Sequence, residues 1–313
     1  MKLISLVIPV YQNENSLEET ITKARKVFQE CKYNYQLVFV NDGSTDKSLE
    51  VLKAQQSKYP NEIVIINFTR NFGQRMAITA GLEYAQGDVV AVISADLQDP
   101  IELLSEMLKE WEQGNKIIMG VRTHRKDGFV NDFLSKMFHS IIRKFLLAEY
   151  PDGGSDYWLL DRRVVDEYNK IKLKNGSCQI SFLQLGYSFK MIEYERKERV
   201  HGKSQYNFWK RVHNAYGSIL PNSYIPIRLI TGLGGIASTG GFLYALYIII
   251  SRIIHYNEVE VTGWTTIVVL ITIFSGLILM SLGIIGEYIW RIYDEIKTTP
   301  RYIIDEIIND EKK

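Results

Sequence analysis

The chain has 313 residues, which is enough for about two domains. Its 37 Lys and Arg residues almost balance its 36 Asp and Glu residues, and the net charge of +1 excludes a dedicated nucleic-acid binder. The two cysteines, Cys31 and Cys178, form neither a disulfide framework nor a metal-binding pattern, which favours a reducing compartment. The amino-terminal residues lack the basic start and long apolar run of a signal peptide and predict a strand instead.

Short runs rich in Val and Ile alternate with helical patterns in the first two-thirds of the chain. Continuous apolar runs of this length are typical of strands buried on both faces of a parallel sheet. Helices are predicted over residues 16–31 and 102–113, where apolar side chains recur at helical spacing. This alternation predicts an α/β fold with a doubly wound, mostly parallel sheet that binds ligands at the carboxyl ends of its strands. The predicted strands are residues 4–10, 36–40, 63–67, 89–94 and 116–121.

Polar residues follow two of the predicted strands. The segment N-D-G-S-T-D occupies residues 41–46, and A-D-L-Q-D occupies residues 95–99. There is neither a G-x-G-x-x-G nor a G-x-x-x-x-G-K-[ST] motif, so dinucleotide and P-loop sites lose their main support. Carboxylates at this edge of a sheet are costly to bury unless they bind a partner, such as a divalent cation on a diphosphate. The alternative is that Asp42, Asp46 and Asp99 are turn and helix-capping residues.

The last third of the chain contains two long uncharged segments. They run from residue 229 to 251 and from 261 to 286, or 23 and 26 residues. Twenty-three helical residues extend over roughly 35 Å, which exceeds a hydrocarbon core of about 30 Å. We therefore predict a two-helix transmembrane hairpin with spans at about 229–251 and 264–286. A pair of buried helices in a soluble protein is the alternative.

The charges beside these segments predict their orientation. The connecting loop contains Glu258 and Glu260 and lacks Lys and Arg, whereas Lys and Arg residues flank both outer ends of the pair. The positive-inside rule therefore places both termini and the α/β domain in the cytosol, with the chain a multi-pass protein of the cytoplasmic (inner) membrane. Small residues in the spans permit a homo-oligomer.

Three further segments lie between the predicted sheet and the membrane. Residues 129–147 form an amphipathic basic pattern that suits either a core-packed helix or a helix in the membrane interface. Residues 207–227 predict a juxtamembrane interfacial segment. Residues 196–206 lack apolar periodicity and predict a loop, for which a mobile lid is a hypothesis. The predicted domains are thus 1–206 (catalytic), 207–227 (interfacial), 228–290 (transmembrane) and 291–313 (cytosolic tail).

An ordered series of short blocks resembles the family 2 glycosyltransferases. It is most similar to the branch containing dolichol-phosphate mannose synthases and bactoprenol glucosyltransferases. This resemblance implies a GT-A-type fold and an inverting transfer from a nucleotide sugar, with UDP as nucleotide, to polyprenyl (undecaprenyl) phosphate. The blocks are V-I-P-V-Y (7–11), V-N-D-G-S-T-D (40–46), R-N-F-G-Q (70–74), A-x-T-A-G-L (77–82), A-x-G-D (85–88), A-D-L-Q-D-P (95–100), G-V-R (120–122), D-Y-W-L-L-D-R (156–162) and R-V-H-G-K-S-Q-Y (199–206).

The resemblance also implies roles for individual residues. Asp42 would accept a hydrogen bond from the nucleobase, and Asp96 and Gln98 would hold Mg²⁺ or Mn²⁺ against the diphosphate. Asp156 matches an acidic residue proposed as a base, but an ionised phosphate acceptor hardly needs one, so we interpret it as positioning the acceptor. The residues implied to bind the nucleotide sugar are Pro9, Tyr11, Glu14, Asp42, Gly73, Gln74 and Asp96. Those implied to hold a phosphate are Arg122, Arg199 and Lys203.

The chain departs from the family pattern in the metal and acceptor blocks. Ser94 occupies a position where the family usually has a metal-site Asp. Either Asp99 replaces that carboxylate, or the nucleotide diphosphate supplies more of the metal coordination. Gln74 stands where a Lys is common. Ser155 and Trp158 replace a Gly and an Arg, and the Trp158 ring suggests stacking on a sugar. Two alternatives remain open: a glycosyltransferase acting on another membrane glycolipid, and a non-catalytic membrane-assembly subunit.

Overall fold

The structure, a computed structural model, describes residues 2–30, 33–122, 140, 143, 155–171, 177–195, 225–254, 263–297 and 299–309. The described residues contain one eight-stranded sheet with the strand order β7-β5-β6-β4-β1-β2-β3-β8. The central strands β4, β1, β2 and β3 are parallel, as are β5 and β7, whereas β6 and β8 run antiparallel to their neighbours. The strands are β1 (Leu3–Val10), β2 (Asn34–Asn41), β3 (Ile63–Phe68), β4 (Val89–Val92), β5 (Ile117–Arg122), β6 (Tyr157–Asp161), β7 (Phe189–Tyr194) and β8 (Ile304–Ile308).

Helices cover both faces of the sheet, which confirms the predicted doubly wound architecture. Because side chains alternate along a strand, Leu6 and Val7 of β1 enter two separate apolar clusters. The Leu6 cluster includes Phe28, and the Val7 cluster includes Phe182. The helices of this unit are α1 (Leu17–Glu30), α2 (Ser48–Lys58), α3 (Gln74–Tyr84), a 3-10 turn (Ile101–Leu103), α4 (Leu104–Glu112), α5 (Arg162–Lys170) and α6 (Cys178–Gln184).

Two long helices form a second compact unit. They are α7 (Ile225–Ile254) and α8 (Trp264–Ile296), and many of their large apolar side chains are exposed. Within the described ranges, Ile273–Ile296 is the one helical segment long and apolar enough to cross a membrane, and none of its most apolar window is buried. A second span therefore stays a prediction. Most of the two predicted amphipathic segments, 129–147 and 207–227, lies outside the described residues.

The chain returns to the sheet after α8. Strand β8 pairs antiparallel with β3, so residues of the predicted cytosolic tail form the last strand of the sheet. Without β8, the hydrogen-bonding edge of β3 would be open to solvent or to another chain. The sheet unit is therefore built from residues that precede the two long helices in the sequence and from residues that follow them.

Asp161 joins β6 to α5 and stabilises both. It caps α5 by accepting from the Arg163 N–H at 3.1 Å, and it also accepts from Trp111 Nε1 at 2.8 Å and Lys116 Nζ at 2.9 Å. Burial works against the charge, but these hydrogen bonds prevail and lower the pKa of Asp161. Its contribution to stability is therefore complete at neutral pH and is lost as the pH falls through that lowered pKa.

We expect Asp161→Ala to reduce the free energy of unfolding by about 2–3 kcal/mol, because it removes a helix cap and leaves the Trp111 N–H without an acceptor. The melting temperature of the detergent-purified protein should fall by roughly 4–10 °C. Asp166→Ala is the control, since its exposed pair with Arg162 contributes little. Equal shifts for the two variants would contradict the assignment.

Candidate active site

The loops after β1 and β2 are fastened to each other at the carboxyl edge of the sheet. The Gln12 N–H donates to Ser44 Oγ at 3.0 Å. Glu14 is tied twice, because its N–H donates to Asp46 Oδ2 at 3.2 Å and its Oε2 accepts from the Lys47 N–H at 2.9 Å. These bonds bring the predicted nucleotide residues of the first loop beside those of the second.

Asp42 anchors a third loop at the same edge. Its side chain is 2% exposed, and its two oxygens accept from the N–H groups of Phe72 at 2.6 Å and Gly73 at 2.9 Å. Burial raises the pKa of Asp42, against the effect of these two donors. Gly43 allows the backbone after β2 to lie close to the Arg70 backbone. Its φ is +60°, and a Cβ there would lie 2.3 Å from the Arg70 carbonyl carbon. Asp42 thus holds the R-N-F-G-Q block against the end of β2.

The other predicted nucleotide residues lie on these elements. Pro9 is buried within β1, next to Val40 of β2, and Tyr11 follows β1 directly. Gly73 has a φ of +96° and precedes α3, whose first residue is the exposed Gln74.

The segment after β4 carries the predicted metal residues. Ser94 Oγ lies 2.6 Å from Asp96 Oδ1 and 2.9 Å from Asp99 Oδ2, and the Gln98 N–H donates to Asp96 Oδ1 at 3.2 Å. Between Asp96 and Gln98, Leu97 has a φ of +60° and a buried side chain. Such strain in a non-glycine residue is typical of functional loops.

The donor set at this segment fits Mg²⁺ or Mn²⁺ only with help from a substrate. In the part of the chain that the structure describes, no three His, Cys, Asp or Glu side chains group as a metal site. Asp96 offers one carboxylate and Gln98 one amide oxygen, which suits a hard cation that takes its other ligands from a diphosphate and water. Asp99 is 2% exposed, and the hydroxyls of Ser94 and Tyr194 lie on its two oxygens.

A buried polar network connects this segment to the acceptor block. Arg122 ends β5, is 7% exposed and pairs with Asp156, just before β6. Burial opposes the guanidinium charge, but Asp156 and Asp99 raise the pKa of Arg122, and the Tyr194 hydroxyl donates to Asp99 Oδ1 at 2.5 Å. Gln179 Nε2, within 3.3 Å of Asp156 Oδ1, holds the carboxylate from its other side. The network therefore fixes the Asp156 side chain, which keeps 37% exposure.

One interpretation from the sequence is wrong. Trp158 is 2% exposed within the sheet, where its ring meets Phe182 edge-on at 5.5 Å and its Nε1 donates to the Ser155 carbonyl at 2.9 Å. It is a core residue and cannot stack on a sugar. Arg199 and Lys203 lie outside the described residues. The sequence did not indicate Tyr194 and Gln179, since neither belongs to a recognised block.

The chain is similar to several known proteins. Residues 5–168 match the family described as glycosyl transferase family 2. The uncharacterized glycosyltransferase YkcC of Bacillus subtilis (strain 168) is 38% identical over 310 residues, which cover 99% of this chain and 95% of that protein. The bactoprenol glucosyl transferase of Shigella phage SfII is 34% identical over 303 residues, which cover 96% of this chain and 97% of that protein.

Among solved structures, this chain is similar to glucosyl-3-phosphoglycerate synthase from Mycobacterium tuberculosis, in complex with Mn²⁺, UDP-glucose and phosphoglyceric acid. The TM-score is 0.50 at 15% identity, and the match covers 69% of this chain and 76% of that one. The likeness confirms the predicted GT-A-type fold. The sequence matches establish that the chain belongs to glycosyltransferase family 2.

Proposed function

We propose that this protein transfers a sugar from a UDP-type nucleotide donor to polyprenyl phosphate at the cytosolic face of the membrane. The observation that carries the proposal is the order of the chain: a family 2 sheet unit, two long apolar helices, and a return to the same sheet through β8. Relatives named bactoprenol glucosyl transferase align with 96% of the chain, a range that includes the sheet unit and both long helices.

The return of the chain supports a two-span topology. Strands β1 to β7 precede α7, and β8 follows α8, yet all belong to one sheet. A folded sheet lies on one side of a bilayer, so the chain between β7 and β8 must cross an even number of times. If Ile273–Ile296 crosses the membrane, α7 supplies the second crossing. The cytosolic side follows from the positive charges at both outer flanks.

The donor would bind where the three fastened loops meet. Tyr11, Glu14 and Asp42 would contact the nucleoside, and the segment after β4 would face the diphosphate. Asp96 and Gln98 would hold a divalent cation, which would neutralise charge on the departing diphosphate. The similar Mycobacterium tuberculosis structure was solved with Mn²⁺ and UDP-glucose.

The reaction would be a single displacement with inversion. A phosphate oxygen of the acceptor attacks the anomeric carbon, the bond from that carbon to the nucleotide's β-phosphate oxygen breaks, and UDP leaves. Because the acceptor phosphate is already ionised at neutral pH, Asp156 positions the acceptor rather than taking its proton. Arg122 holds Asp156 in place, and Arg199 and Lys203 would balance phosphate charge.

The test uses the full chain purified in detergent. Nucleotide sugars are first screened for thermal stabilisation, since a bound donor raises the melting temperature. The stabilising donor, carrying a radioactive sugar, is then incubated with undecaprenyl phosphate and Mg²⁺. We expect a lipid-linked monosaccharide of inverted anomeric configuration, with one UDP released per sugar and no product from undecaprenol. Donor binding without transfer to this acceptor would favour another membrane glycolipid, and no donor binding at all would favour a non-catalytic subunit.

The affinity for UDP should depend on the protonation of Asp42. The ionised carboxylate accepts more strongly from the uracil N–H than the protonated acid does. Burial raises the pKa of Asp42, so UDP affinity should fall on acidification at a higher pH than an exposed Asp would cause. Titration calorimetry at several pH values measures this. Asp42→Asn should bind UDP more weakly at all pH values and should lose the part of the pH dependence that comes from Asp42. The part that comes from titration of the diphosphate should be the same in both proteins. Identical pH profiles would contradict the role of Asp42.

A further inference from the structure

The last strand does more than close the edge of the sheet. Backbone pairing fixes β8 on β3, and the Thr69 N–H donates to the Ile303 carbonyl at 3.1 Å just before the strand begins. These backbone contacts alone would be enough to protect the edge of β3 from pairing with another chain. Two side chains of this C-terminal segment, residues 302–308, reach further, toward the loop that Asp42 holds.

The first connection runs through two buried amides. Asp305 Oδ2 accepts from Asn67 Nδ2 at 3.2 Å, and Asn67 Oδ1 accepts from Asn41 Nδ2 at 2.8 Å. An amide has one donor end and one acceptor end, so the Asp305 carboxylate fixes which way Asn67 is turned. Asn41 directly precedes Asp42, and both amides are buried. The orientation at the end of β2 thus depends on a residue of β8.

The second connection runs through aromatic rings. Tyr302 stacks on Phe68 with centroids 5.0 Å apart, and Phe68 meets Phe72 edge-on at 5.6 Å. The Phe72 N–H is one of the two donors to Asp42. The Tyr302 hydroxyl also donates to Glu83 Oε2 at 2.6 Å, on the helix α3 that begins at the end of the same loop. Tyr302 is therefore connected to the loop that Asp42 holds, through Phe68 and Phe72 and through α3.

We propose that the C-terminal segment is a positioning element of the donor site, in which Tyr302 and Asp305 hold Asp42 and residues 70–73 in the geometry that binds the nucleotide. This inference rests on the proposed function, because it takes the Asp42 side of the sheet as the nucleotide site. It follows that the chain emerging from α8 supplies part of the support for donor binding.

The experiment uses the full chain in detergent and compares four variants of the C-terminal segment with a fifth, Gly43→Ala, in the loop after β2. Tyr302→Ala removes ring and hydroxyl, Tyr302→Phe keeps the ring, and Asp305→Ala removes the acceptor of Asn67. Glu306→Ala is the matched control on the same strand, since it loses only a half-exposed pair with Lys53. The dissociation constant of UDP is measured by calorimetry with Mg²⁺, kinetics are measured with UDP-glucose and undecaprenyl phosphate, and melting temperatures are measured without nucleotide.

We expect Tyr302→Ala and Asp305→Ala each to raise the UDP dissociation constant and the donor KM about tenfold, a change of about 1.4 kcal/mol. Their kcat and acceptor KM should stay within about twofold, and Tyr302→Phe and Glu306→Ala should resemble the wild type. Gly43→Ala, which pushes directly on Arg70, should reproduce the loss of UDP affinity. If UDP-glucose is not turned over, the UDP dissociation constants alone decide.

Unchanged UDP affinity in both alanine variants would overturn the proposal, as would an equal loss in Glu306→Ala. In Tyr302→Ala, a joint fall of kcat, donor affinity and melting temperature would indicate general destabilisation. Asp305→Ala leaves the ring stack intact and then decides: the proposal stands if this variant loses UDP affinity alone, and it is overturned otherwise. Failure of the wild type to bind UDP would instead refute the proposed function.

Discussion

Replacing Asp96 by Asn should lower kcat/KM for sugar transfer on the order of 10³-fold, close to complete inactivation. Asn keeps the shape of the side chain and can still accept from Ser94 and the Gln98 N–H, so the loop after β4 should remain folded. What disappears is the carboxylate charge at a site where Gln98 is the other proposed protein ligand. Initial rates at increasing Mg²⁺ concentration measure the loss and show whether excess metal restores part of the rate.

Two further variants define what the Asp96 result means. Asp166→Asn removes an exposed carboxylate from α5 and should leave transfer unchanged. Ser94→Ala removes the hydroxyl between Asp96 and Asp99 and should reduce the rate only about tenfold, because the proposed metal ligand, Asp96, remains. An Asp96→Asn enzyme with more than about a tenth of wild-type activity would show that the cation, if needed, binds elsewhere.

The central sheet was predictable because its strands are buried on both faces. Residues 4–10, 36–40 and 63–67 were predicted as strands, and the structure has Leu3–Val10, Asn34–Asn41 and Ile63–Phe68. The edge strands β7 and β8 were not predicted, and neither was the internal strand β6. In β7 the exposed Lys190 and Glu193 interrupt the apolar run, and β8 is a five-residue strand in a charged tail. Pairing with a distant strand decides such segments, and a local pattern does not contain that information.

The candidate site was predictable where topology alone brings residues together. Loops at the carboxyl ends of neighbouring parallel strands meet at one edge, so Glu14, Asp42 and Asp96 could be grouped from their positions after strands. Trp158 shows the limit of this reasoning. It lies within β6, and the sequence does not say which residues of that strand face the core. Tyr194 belongs to an edge strand, and its contact with Asp99 depends on the pairing of β7 with β5.

Arg122→Ala should damage both stability and catalysis. The variant leaves Asp99 and Asp156 without their cation in a partly buried network. We expect a loss of about 2–3 kcal/mol in unfolding free energy, less than the roughly 3–5 kcal/mol of a fully buried pair because water screens part of Asp156. Transfer should fall roughly 10²-fold or more, because Asp156 loses the partner that fixes its position. Melting temperatures and steady-state kinetics in detergent measure the two effects.

A double-mutant cycle with Asp156→Asn separates the two effects. If Arg122 acts mainly by holding Asp156, the double variant should be little slower than the slower single variant. Once Asp156 has been replaced, Arg122 has no carboxylate to hold, so its loss adds little. If Arg122 also contacts a phosphate, the two losses should multiply, and acceptor KM should rise in Arg122→Ala alone. Arg122→Lys keeps the charge but not the planar fork, and should lose most of the rate while retaining stability. Wild-type activity in Arg122→Lys would contradict both roles, because each depends on the planar guanidinium that pairs with Asp156.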